Sequence, residues 1–181
     1  MSLKQYFNKP LTVALATVAT ATLAPVASAA TFNFSYTSNA GTITATVDGT
    51  LQPDNNTVFV SSISNTTFNG SPAPALPFIG SFDAFNLSGS LTGQAVLSLD
   101  GSGMNFAACE DATCNSGFGF LPAGILTTFD VFSSFGGYGS VAEPFVITNY
   151  SLTTVPEPAT VLGLLSVAGV GLLCKGRKLE K

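Results

Sequence analysis

Between Lys9 and Lys175 the chain carries no lysine, arginine or histidine. The six bases sit at the two ends, as Lys4 and Lys9, then Lys175, Arg177, Lys178 and Lys181. Of the ten acids, eight fall between Ala30 and Val155: Asp48, Asp54, Asp83, Asp100, Glu110, Asp111, Asp130 and Glu143, a formal charge of −8 with nothing to oppose it. Whatever folds from that stretch must do so without a single side-chain ion pair. The same absence removes the imidazole base, the Schiff-base lysine, the arginine phosphate clamp and the basic groove that nucleic acid requires. No nucleic-acid partner and no enzymatic activity are expected, and no residue is assigned as catalytic.

The bases that do exist flank apolar runs. Residues 1–29 have the build of a secretory signal: Lys4 and Lys9, an apolar stretch from Leu11 to Leu23, and the small residues Ala27 and Ala29 around Ser28. Signal peptidase is expected to cut after Ala29 or Ala30. At the other end Pro156, Glu157 and Pro158 precede an apolar run from Ala159 to Cys174 and then the terminal bases. Two prolines around one residue hold φ near −65° and delete two N–H donors, which keeps that segment extended. The run of residues 159–174, at about 1.5 Å per residue, spans about 24 Å as a helix, a short transmembrane segment. The bases beyond each apolar run are expected to stay inside, leaving the acidic middle outside.

This tripartite tail resembles the PEP-CTERM sorting signal of exported bacterial proteins, with Pro156, Glu157 and Pro158 as the name-giving residues. The resemblance covers residues 155–181 and implies recognition by exosortase, an integral-membrane cysteine transpeptidase. It also implies an exported, membrane-anchored precursor that ends at the cell surface or outside the cell, as a component of the surface or of a biofilm matrix with extracellular polysaccharide. One departure is that Gly176 interrupts the basic cluster and Leu179 and Glu180 follow it.

Residues 30–154 are the expected ectodomain, enough for one domain with its own core. Phe32, Phe34 and Tyr36 alternate with polar residues, as do Ile43, Ala45 and Val47, a period of two that predicts strands. Further β-rich runs cover Thr57 to Ile63, Ala95 to Leu99, Met104 to Ala108, Thr127 to Phe132 and Phe145 to Leu152. Pro53 to Asn56 and the Asp100–Gly101 pair suit turns, and Asp48–Gly49 suits either a hairpin or a bulge within one strand. Ser71 to Phe82 reads as a proline-rich loop, and Gly136, Gly137 and Gly139 as a flexible stretch. No internal segment has a helical period. The fold class is therefore all-β, a single antiparallel β-sandwich with a jelly roll as one compatible topology, flanked by a signal helix and a transmembrane helix. Fourteen of the fifteen phenylalanines follow residue 30 and are expected to fill the core.

Cys109 and Cys114 lie close together in a chain bound for an oxidising compartment, and a disulfide is expected between them. The acids suggest two loops with calcium-type ligands, Asp54 with Asn55 and Asn56, and Glu110 with Asp111, although neither has the spacing of a known calcium loop. No metal and no cofactor are assigned. The expected function is that of a non-catalytic surface or matrix protein sorted by exosortase. The alternative is a carbohydrate-binding module, calcium-assisted, using loop aromatics such as Tyr138. A third reading, an acid glycoside hydrolase, would draw its pair from Asp83, Asp130 or Glu143.

Overall fold

The computed structural model describes residues 27–124 and 127–156. The strands are β1 Ser28–Thr37, β2 Thr42–Leu51, β3 Thr57–Phe68, β4 Ser71–Pro72, β5 Phe78–Gly80, β6 Val96–Ser98, β7 Phe106–Cys109, β8 Gly117–Leu121, β9 Val131–Phe135, β10 Val141–Pro144 and β11 Tyr150–Thr154. One helix, α1, spans Phe82–Ser88, and a short 3-10 turn, Ile147–Asn149, leads into β11. All the strand pairings are antiparallel, in two sheets. The first runs β11-β1-β2-β3, with β4 and β6 each pairing part of the outer side of β3; the second runs β10-β9-β8-β7-β5.

Successive strands mostly stay in one sheet: β1 to β4 form one meander and β7 to β10 another. A jelly roll, with its two Greek keys, would not leave such runs of neighbours side by side. The fold is a sandwich of meanders, and the jelly-roll alternative is set aside. β2 continues unbroken through Asp48–Gly49, and the bulge lies opposite, in β3, where Ser61 is the extra residue between Ser62, opposite Asp48, and Val60, opposite Gly49; a second register shift, between Thr44 and Thr46, also puts its extra residue on β3. Gly49 is needed there, because a Cβ would stand 2.7 Å from the Phe59 carbonyl oxygen. Asp100–Gly101 lies in a turn, as expected: the Gly101 N–H donates to the Ser98 carbonyl at 3.3 Å, and Val96 and Asn105 exchange backbone bonds across the connection that then leads from β6 in one sheet to β7 in the other.

The period-two pattern does what it predicts. Phe32, Phe34 and Tyr36 of β1, Ile43 and Val47 of β2, Val58 and Val60 of β3 and Leu152 of β11 are buried against Phe106, Phe118, Phe120 and Phe132 of the second sheet. The two layers interlock through rings: Phe34 stacks on Phe118 with centroids 5.4 Å apart, Tyr36 meets Phe120 edge-on at 5.4 Å, and Phe120 lies 5.3 Å from Phe132. Such offset and edge-on contacts are worth about 0.5–1.5 kcal/mol each beyond the area they bury.

Three segments depart from expectation for identifiable reasons. In β8, Gly-Phe-Gly-Phe-Leu, the glycines look like strand breakers but are required by close approach: an added Cβ at Gly117 would lie 2.2 Å from the Ala108 carbonyl oxygen, and at Gly119 2.6 Å from that of Phe106. α1 has too few residues to show a period. It is set by caps, with the Ser81 hydroxyl accepting from Ala84 N–H, Gly89 in the left-handed region, and the Asn105 side-chain oxygen accepting from Phe82 N–H at 2.8 Å. Its Phe82 packs on Ala107 and Leu121, covering the outer face of the second sheet. The glycine-rich stretch at 136–139 is a packed turn in which Tyr138 is fully buried and its hydroxyl donates to the Pro74 carbonyl. Tyr138 is thus a core residue and not a binding aromatic. Two expected boundaries also move. The strand expected over Thr127 to Phe132 starts at Val131 and runs to Phe135, and the one over Phe145 to Leu152 starts at Tyr150 after the 3-10 turn and runs to Thr154.

Cys109 and Cys114 are disulfide-bonded across the connection from β7 to β8. The expected signal and transmembrane helices lie outside the described residues. Among the described residues, no helix is long and apolar enough to cross a membrane.

Replacing Gly119 with alanine is expected to destabilise the domain by about 1–3 kcal/mol, since the Phe106 carbonyl oxygen and Ala107 Cα and Cβ, none of which moves without the backbone, lie in the way of the new methyl. Urea denaturation of both forms measures it; equal midpoints would show that β7 and β8 are not packed this closely.

Candidate functional site at the paired chain ends

The first and last strands of the domain are neighbours. β1 and β11 pair from Phe32 opposite Thr154 to Tyr36 opposite Tyr150. The ladder is extended once more by the Val155 N–H, which donates to the Thr31 carbonyl at 2.8 Å. In an antiparallel pair, hydrogen-bonded and non-bonded positions alternate. Thr31 with Val155, Asn33 with Thr153 and Ser35 with Ser151 are therefore the bonded positions. The N–H and C=O of Leu152 and Thr154 face the other way, off the free side of β11, which is the outer strand of its sheet.

Pro156 follows directly. It is exposed, and by the same alternation its missing N–H falls on the free outer side and not on the side facing β1. Ala29 on the neighbouring strand and Ala27 just before it, the expected signal-peptidase residues, are also exposed. Ala29 lies within β1, opposite Thr50 of β2. The chain thus enters and leaves the sandwich on adjacent strands at one end, about 5 Å apart at the paired positions. Glu157 and Pro158 lie outside the described residues.

Residues 154–178 match the PEP-CTERM protein-sorting motif. The chain carries a PEP-CTERM sorting motif. The matched segment begins on the last residue of β11, so no spacer separates the fold from the signal. No curated protein and no solved structure matches the chain. Leu152, Thr154 and the Thr31–Val155 bond were not singled out from sequence. The β-branched run Thr153, Thr154, Val155 was the available sign that the strand continues to the PEP-CTERM proline.

The other residues considered for function lie away from the PEP-CTERM junction and serve local structure. Asp54 accepts from Asn56 N–H and Thr57 N–H and from the Thr57 hydroxyl. Asp111 accepts from the N–H groups of Thr113 and Cys114 and from the Thr113 hydroxyl. Both are turn caps, and no group of three metal-ligating side chains occurs among the described residues. Asp83 accepts from the Ser81 hydroxyl and from Ala84 N–H at the start of α1. Asp130 accepts from Ala123 N–H at 2.7 Å, and Glu143 from Asn39 N–H at 3.1 Å. Beside Glu143 lies a shallow apolar hollow of about 260 Å³, lined also by Thr127, Val131 and the half-exposed Phe129.

Hydrogen bonds to the ionised form hold three carboxyls, Asp54, Asp111 and the turn residue Asp100, below their ordinary range. For Asp54 the Thr57 hydroxyl is the chief cause, for Asp111 the Thr113 hydroxyl. Asp100 is lowered to about 2, first by the Ser102 hydroxyl, then by Ser102 N–H and the Asn56 amide. A carboxyl whose folded pKa lies below its unfolded value contributes stability above the unfolded value and loses it as pH falls through the folded one. Protonation cannot build up positive charge on the segment between Ala30 and Val155, which has no basic side chain. Thermal melts of the processed domain are therefore expected to show a decline confined to the window from about pH 3.8 down to about pH 2. Collapse at pH 5 would contradict it.

Proposed function

We propose that the protein is an exported, non-catalytic component of the cell surface or extracellular matrix, held first as a membrane-anchored precursor and then processed by exosortase at the PEP-CTERM tail. One observation carries the reading: the sorting motif begins on the last residue of β11, beside the strand through which the chain enters the domain. A precursor tethered through both ends needs them at one face, and this fold provides that. From Val155 to Ala159 is at most about 14 Å of extended chain. The base of the sandwich then rests against the headgroup layer, and Pro156, Glu157 and Pro158 occupy the gap where a membrane-embedded enzyme can reach them. The high negative charge and the absence of cations suit a body that must not adhere to anionic lipid while it waits.

Intact mass spectrometry of the protein recovered from cells tests this. The expected species lacks residues 1–29 or 1–30 and the tail after the motif, and retains the Cys109–Cys114 disulfide. Changing Pro156, Glu157 and Pro158 to alanine is expected to leave the tail attached and the protein in the membrane fraction. Unaltered processing of that variant would refute the reading.

A second reading, carbohydrate binding, is favoured by the half-exposed Phe129 beside Glu143, an aromatic face next to a carboxylate. It predicts that Phe129→Ala abolishes retention on an extracellular polysaccharide without changing the melting temperature. Equal retention of both forms removes it.

A further inference from the structure

The free side of β11 runs without a break into the sorting motif, and we propose that it is the docking edge for the processing enzyme: an extended strand of the enzyme's cleft adds to β11 before the tail is cut. The proposal rests on the sorting reading above and names the part of the folded domain that the enzyme uses.

Three observations carry it. The N–H and C=O of Leu152 and Thr154 point off the outer side of the sheet, two donor and acceptor pairs at the spacing an added strand needs. That edge is unprotected. Tyr150 to Val155 holds no charge, no proline and no bulge, the devices by which exposed edges are ordinarily blunted. The outer strand of the other sheet, β10, carries Glu143 and Pro144, and the edges at the far side are only two or three residues long. The third observation is the missing spacer. Only Pro156, Glu157 and Pro158 lie between the last ladder bond and the apolar run, so a cleft that takes up more than three extended residues ahead of that run reaches β11. Such an enzyme must take hold of β11 itself. If β11 instead peeled away, Leu152 would have to leave the core, where it is 4% exposed, and three bonded positions with β1 would break.

Residue parity sharpens the point. Counting in twos from Leu152 reaches Thr154, then Pro156 and Pro158, which have no N–H. Thr154 is therefore the last donor on that side, and Leu152 and Thr154 act as positioning residues through their backbone.

Thr154→Pro in the full-length precursor removes only the outward N–H, because the bonds to β1 belong to Thr153 and Val155. Prolines are tolerated at such edge positions. Expressed in a strain that carries the sorting enzyme, this variant is expected to lose its tail about two- to tenfold more slowly, the effect of one lost hydrogen bond. Thr154→Val, which keeps the N–H, is expected to match the parent. A second variant joins β1 to β11 by a disulfide, Asn33→Cys with Thr153→Cys, at exposed positions that face each other in the ladder. It should be processed at the parental rate, since edge addition leaves β11 in place. Parental processing of Thr154→Pro would overturn the proposal. So would a block in the cross-linked variant, which would mean that β11 must fray. A third contrary result is an oligomer that Thr154→Pro dissociates without slowing processing, which would make a second copy the occupant of the edge. If the alanine variant of Pro156, Glu157 and Pro158 is processed normally, the sorting reading fails, and that failure is distinct from all of these. A melting temperature for each variant verifies that the domain is folded.

Discussion

The pairing of β1 with β11 is the interaction on which the rest depends. It joins the two ends of the domain, completes the first sheet, and presses Phe32, Phe34, Tyr36 and Leu152 onto the phenylalanines of the second. It also decides where the flanking segments leave. An antiparallel pair formed by the first and last strands necessarily sends the incoming and outgoing chain off the same end. For a chain with apolar stretches at both extremities, that arrangement brings both connections to one end of the folded body.

A second constraint acts on the surface. Without a cation between Lys9 and Lys175, a carboxylate finds its protein donors only among hydroxyls, amides and backbone N–H groups. The structure shows how. Asp48 takes the Thr31 and Ser62 hydroxyls on either side of it, at 2.8 and 2.9 Å, tying β1, β2 and β3 together across the outer face. Asp54, Asp100 and Asp111 each close a turn. The abundance of Ser, Thr and Asn in this chain therefore replaces salt bridges, whose exposed forms contribute little in any case.

Much of the architecture was legible because period-two alternation is a direct record of one face being buried. β1, β2 and the first half of β3 show it plainly, and the sandwich class follows. Where both faces are covered the record is lost. β8 is buried at all five positions, under α1 on one side and against the core on the other, so its glycines mimic a turn while they admit a neighbouring backbone. Tyr138 misleads for the opposite reason: glycines around an aromatic suggest an exposed loop, and only the three-dimensional placement of Pro74 shows the ring to be core. α1 is legible only through its caps, which are too local to stand out. At the junction, Pro156 was visible from sequence, but the register that turns the backbone N–H and C=O of Leu152 and Thr154 to the free edge exists only once β1 and β11 have met.

Amide hydrogen exchange along β11, resolved by NMR, tests this account most directly. The register predicts an alternation: Ser151, Thr153 and Val155 protected, Leu152 and Thr154 exchanging at close to solvent rates. Uniform rapid exchange from Tyr150 onward would contradict it, showing that the last strand is not docked on the first and that the two ends of the domain are not held together.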